Sequence, residues 1–194
     1  MKCGDNEMKR QRFKINQIVM TAMFMGMIIA LTMIIRVPIP GTHGYIHLGD
    51  SMIFLAVLAL GKKNGAIAAG FGSALADVIG GYAIYAPVTL VVKALMAVVV
   101  AAFIEQALKR GHFAGTAGKA VIAGGMIAGG ALMVAGYYAA EVVMYGNFIV
   151  PLSGVWMNAL QCAVGAVLAL MLDHSLQNTP AGRRFAYSLG DARR

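Results

Sequence analysis

Charge is what this sequence has least of. Lys, Arg, Asp and Glu make up 12% of the 194 residues, about half the share of an ordinary soluble domain. So few charges, set between long apolar runs, exclude a water-soluble globule and define an integral membrane protein. Cysteine is nearly missing. Cys3 lies in the N-terminal segment and Cys162 in the last apolar run, so the two do not read as a disulfide pair. Catalytic signatures are missing too. The nearest approach to a phosphate-binding loop is Gly118-Lys119-Ala120, which has Phe113 in place of the first glycine and no hydroxyl after the lysine. The chain is therefore not expected to hydrolyse ATP. No HExxH, paired CxxC or GxSxG occurs, so no catalytic residue is assigned. His43 and His47 are four apart but sit among glycines and prolines, and no metal site is expected.

What is present is apolar: 59% hydrophobic residues, a mean hydropathy of +0.73, and 24 glycines, most of them inside the apolar runs, where they suit close helix packing. The sixteen basic residues outnumber the eight acidic ones, but they are grouped. Lys2, Lys9, Arg10, Arg12 and Lys14 precede the first run. Lys62 and Lys63 mark one loop, and Lys109, Arg110 and Lys119 another. Arg183, Arg184, Arg193 and Arg194 close the chain. The connections between these groups are nearly bare, which is the positive-inside pattern rather than the mark of a nucleic-acid partner.

The apolar runs predict an all-α bundle of six transmembrane helices, over 15–35, 49–61, 65–82, 87–105, 121–145 and 150–172, with both termini cytoplasmic. One membrane domain, 15–174, then lies between basic tails at 1–14 and 175–194. The first run is about twenty residues, longer than a signal-peptide core, and no small-residue cleavage site follows it, so it is read as a span. Lys62-Lys63-Asn64 and Tyr85-Ala86-Pro87 are the expected breaks in the central region. Asp50, at the start of a span, is read as an acid favoured by the helix dipole and by capping.

Depth along the helices supplies the functional reading. Asp77 lies about eight residues before the outer turn at Tyr85 and Lys93 about seven after it, so both sit roughly 10 Å below the outer surface and can pair. Asn158 lies at a similar depth, and Glu141 one turn below the outer end of its helix. Tyr82, Tyr85, Tyr137, Tyr138, Tyr145 and Trp156 fall in the same half. Polar groups at such depth face a cavity or one another, and aromatic walls with a few fixed polar groups suit a small flat ligand. The loop 36–48, with two prolines, glycines and His43, Tyr45 and His47, is expected to lie over that cavity as a lid. Ala22, Gly26 and Ala30, four apart, make a flat face on the first helix.

The central stretch has a further pattern. His47-Leu48-Gly49-Asp50, Gly65-Ala66-Ile67-Ala68-Ala69-Gly70, Ala76-Asp77, Gly81-Tyr82-Ala83, Tyr85-Ala86-Pro87 and Val92-Lys93-Ala94-Leu95-Met96 follow one another. In order and spacing this series resembles the substrate-binding S component of energy-coupling factor vitamin transporters, riboflavin-type group, and within it the hydroxymethylpyrimidine or pyridoxine members. The resemblance implies a cell-membrane protein that captures a vitamin near the outer face and binds no cofactor of its own. It implies docking on a transmembrane T component that carries two ATPase subunits, where ATP is hydrolysed, and delivery by toppling within the bilayer. It implies that Ala22, Gly26 and Ala30 form the docking face. It gives weight to His43, Tyr85 and Asn147 in the loops that close over ligand. Asp77, Lys93, Glu141 and Asn158 are expected to hydrogen-bond the ligand, and Tyr82, Tyr85 and Trp156 to enclose it. Riboflavin is the alternative cargo. A stand-alone proton-coupled carrier, titrating Asp77 or Glu141, is the alternative mechanism.

Overall fold

The computed structural model describes residues 2–109 and 115–177, with side chains described for 15–109 and 117–176. The expected C-terminal tail from 178 onward lies outside the described residues. Among the described residues, five helices, each long and apolar enough to cross a membrane, make up most of the structure: α1 (Lys2–Ile34), α2 (Gly49–Ile79), α3 (Ala86–Lys109), α4 (Gly115–Tyr145) and α5 (Leu152–Gln177). Between α1 and α2 a short antiparallel hairpin forms, β1 (Arg36–Pro38) and β2 (Tyr45–His47), with Val37 opposite Ile46.

The expected six-helix count is corrected here to five. The two predicted spans 49–61 and 65–82 are a single helical element, α2, and the expected loop at Lys62-Lys63-Asn64 is absent. Those three residues keep helical backbone, and the interruption shrinks to Gly61 at φ 73°, ψ −169°. That left-handed φ is one an L side chain rarely adopts, so glycine is what lets so short a break occur. The element doubles back there. A Cβ on Gly65 would lie 3.0 Å from Val57 Cα, a contact impossible in a straight helix, where residues eight apart are about 12 Å apart. Both ends of α2 therefore reach the same end of the bundle.

The first arm of α2 is the axis of the fold. Every residue from Gly49 to Ala59 is buried, as expected of a helix that is apolar on all sides. α1, α3 and α5 pack on α2, and α4 bridges α3 to α5. The outer faces keep large apolar side chains exposed, among them Ile127, Val143 and Met171, which is the surface a lipid-facing helix needs. Glycine sets the closest approaches: a Cβ on Gly70 would stand 2.9 Å from the Leu90 carbonyl oxygen, and one on Gly129 3.0 Å from that of Met96.

Candidate functional site

At the end of the bundle where both ends of α2 arrive, the β1–β2 hairpin lies across the helices and is strapped to them. The Arg36 guanidinium donates to the carbonyl of Gly80, just past α2 (3.1 Å), and the Tyr45 hydroxyl to Asp77 Oδ1 on α2 (2.7 Å). The backbone N–H of His43 donates to the Tyr145 hydroxyl on α4 (2.9 Å), and that of His47 to Gln161 Oε1 on α5 (2.9 Å). Arg36 also lies 5.2 Å over the Tyr45 ring, which has the Tyr82 ring at 4.4 Å and the His47 ring at 5.5 Å. Thus loop 36–48 is an ordered cover, two of its backbone N–H groups being taken up by side chains from α4 and α5.

Under this cover lies a cavity of about 30 Å³. Ile39, 3% exposed, closes it from the hairpin. Its polar lining comes chiefly from Asp77, Tyr85, Thr89, Glu141, Asn158 and Gln161. Glu141 Oε1 accepts from the Tyr85 hydroxyl (3.2 Å), which is 2.7 Å from that of Tyr145. The other oxygen of each acid is different. Asp77 Oδ2 and Glu141 Oε2 are buried and have no hydrogen-bond partner. Leaving a buried acceptor unpaired costs about 1–3 kcal/mol, and more when it is charged, so two in one cavity call for donors there, from water or from a ligand. Glycine makes the room: a Cβ on Gly44 would come within 3.2 Å of Glu141 Oε1, and one on Gly154 within 3.2 Å of Oε2.

Beneath the cavity is a closed ion pair. Lys93 Nζ donates to Asp50 Oδ1 at 2.5 Å, with both side chains fully buried. It also donates to Met133 Sδ (2.9 Å) and lies 5.7 Å over the Tyr137 ring. Asp50 Oδ2 takes the Gln161 amide (2.8 Å). Lys93 therefore pairs with Asp50 rather than Asp77. Equal depth suggested Asp77, but the doubling-back of α2 brings its first turn in between. Asp50 does not cap its helix either: the cap residue is Leu48, with no side-chain cap bond.

Of the predicted site residues, Asp77, Tyr85, Glu141 and Asn158 line the cavity, and Tyr82 backs Tyr45 from outside it. His43 is exposed on the hairpin loop, its ring 6.3 Å from that of Tyr145. Asn147 is exposed in the α4–α5 turn, where its Oδ1 accepts from Ile149 and Val150. Trp156 is 61% exposed on the outer face of α5 and does not line the cavity. Sequence reasoning left out Gln161 and Thr89. An amide inside an apolar run was the available signal for Gln161.

Electrostatics fix the cover's protonation. Burial, then the Asp77 contact, pushes the Tyr45 hydroxyl well above its ordinary value, so it donates. Tyr85 is raised by burial, by its bond to Tyr145 and by Glu141. His47 is pushed down to about 4, chiefly by burial against the opposing pull of Asp50. Its Nδ1 accepts from Gly49 N (3.0 Å), which requires the neutral ring. Because this value lies below the ordinary 6.5, acid favours the unfolded chain first. Stability should be full above pH 6.5, fall between 6.5 and 4, and level off below. Thermal unfolding in detergent across that range checks this, and His47→Gln should flatten the slope. An equal slope in the variant would remove the histidine from the account.

A covered polar cavity at one end of an apolar helical bundle is the architecture of a membrane-embedded solute-capturing protein. The chain matches the family described as ECF-type riboflavin transporter, S component, over residues 12–178, and belongs to it. It is thus a membrane-embedded S component for vitamin uptake. Among curated relatives, the thiamine precursor transporter HmpT of Lactococcus lactis subsp. cremoris (strain MG1363) is 28% identical over 180 residues, 92% of this chain and 95% of that protein. An uncharacterised protein of Pyrococcus woesei is 42% identical over 115 residues, 59% of this chain and 71% of that one.

Proposed function

We propose that the chain captures a single-ring vitamin precursor of the hydroxymethylpyrimidine or pyridoxine type in the cavity under the β1–β2 hairpin. It then delivers its cargo inward by toppling against a T component whose two ATPase subunits supply the energy. The observation that carries this reading is the pair of unpartnered buried oxygens, Asp77 Oδ2 and Glu141 Oε2, in one covered cavity. The relationship to a thiamine precursor transporter along nearly the whole chain supports the pyrimidine. The covered cavity has room for about a water molecule, so a ring-sized ligand needs the cover to move. A single ring needs far less added space in a cavity of that size than a three-ring isoalloxazine does. Riboflavin, which the family description names, is on this ground the second reading.

The test is mass spectrometry of the small molecule that co-purifies with the protein, followed by titration calorimetry with that compound. A pyrimidine or pyridine alcohol is expected, and Asp77→Asn should weaken its binding at least tenfold. Recovery of riboflavin would replace the cargo. Uptake into liposomes by this chain alone, driven by a pH gradient, would replace the mechanism with a proton-coupled carrier.

A further inference from the structure

The charges around the cavity are distributed unevenly. Two carboxyl groups reach it, each with one oxygen that lacks a hydrogen-bond partner and can accept one. The cations nearby are engaged elsewhere. Lys93 is held by Asp50 and Met133 below the cavity. Arg36 stands outside it, behind Tyr45 and Tyr82, donating to the carbonyls of Thr32 and Gly80. His47 faces the cavity as a neutral ring whose Nδ1 accepts from Gly49. Gln161 spends its carbonyl on His47 N and its amide on Asp50. The Tyr45 and Tyr85 hydroxyls point at the two acids.

We infer that this cavity selects ligands by sign: it takes a small ring with two hydrogen-bond donors, one for Asp77 Oδ2 and one for Glu141 Oε2, and rejects any form carrying a phosphate or carboxylate. This rests on the reading of the cavity as the cargo site. A 4-amino-5-hydroxymethylpyrimidine meets the requirement, because its amine and hydroxyl are donors on adjacent ring carbons. Its phosphate ester replaces the hydroxyl donor with an acceptor-only dianion in a space that holds two acids and, among the described residues, no unpaired cation. Desolvating that group without a counter-charge is the costliest arrangement such a site can meet. The transporter would then take up the free alcohol, and a kinase reaction must follow inside the cell if the phosphorylated form is used.

The experiment compares binding to wild-type protein in detergent or nanodiscs by titration calorimetry. The probes are 4-amino-5-hydroxymethyl-2-methylpyrimidine, its phosphate ester, and the analogue lacking the 4-amino group. The ester should bind at least a hundredfold more weakly than the alcohol, and the analogue at least tenfold more weakly. Glu141→Gln should weaken the alcohol at least tenfold without lowering the unliganded melting temperature. An ester within tenfold of the alcohol, or an analogue as tight as the parent, overturns the selection rule and leaves the cargo site standing. No binding of any pyrimidine, with riboflavin bound instead, overturns the cargo reading itself. The ligand series uses the unaltered chain, so it decides the matter even if the variant misfolds.

Discussion

Replacing Gly26 by leucine (Gly26→Leu) should abolish uptake and leave ligand binding unchanged. Ala22, Gly26 and Ala30 all lie exposed along one side of α1, and a Cβ at Gly26 would meet nothing within 4 Å. The larger side chain therefore disturbs no internal contact, and it removes a helix-interior glycine worth about 1 kcal/mol of helix stability. Outside the bundle the effect is opposite. A small-residue face lets a partner helix approach closely, and a leucine at its centre holds that helix away. Under the proposed mechanism the partner is the T component. Calorimetry on the isolated variant should match wild type, while cells or proteoliposomes holding the whole transporter should lose uptake. Transport at the wild-type rate would move the docking face elsewhere, and weakened ligand binding would tie Gly26 to the fold instead.

The second large effect concerns the core. Lys93→Met should destabilise the protein by about 3–5 kcal/mol, because it leaves Asp50 charged, buried and without its counter-ion. Asp50→Asn should do comparable damage by stranding the ammonium between Met133 and Tyr137. The double variant should recover most of the loss. A buried ion pair is costly to break and far less costly to replace whole, since its own attraction mostly offsets its desolvation. Unfolding midpoints of the four proteins in one detergent give the cycle. If the two single losses simply add in the double variant, the pair is not a unit. If neither single variant loses stability, the burial of the pair has been misjudged.

The membrane character, the polar half of the bundle and four of the cavity residues could be read from the sequence, because each depends on local spacing. Asp77, Tyr85, Glu141 and Asn158 were found by counting residues from helix ends, and a rise per residue is enough for that. What could not be read depends on rotation and on the path of the chain. Trp156 sits at the right depth on the wrong side of α5. Asp50 looked like an ordinary first-turn acid, and only the return of α2 puts it against Lys93. The helix count failed for the same reason. Lys62, Lys63 and Asn64 are polar enough to suggest a loop, yet a single glycine suffices for the bend, leaving those residues helical. The hairpin's tight strapping was also hidden, since its bonds reach residues more than a hundred positions away.

The bend at Gly61 also sets a phase. The second arm of α2 leaves it as continuous helix, so one residue gained or lost between 62 and 64 would turn everything beyond by about 100°. Asp77 would then swing out from under Tyr45 toward the bilayer, and an apolar neighbour would take its place. Insertions and deletions are thus barred from a basic stretch that touches no ligand and lies roughly 17 Å from Asp50 along the helix axis. Substitution of Lys62 or Lys63 by another cation leaves that phase alone: here the spelling is free and the letter count is not.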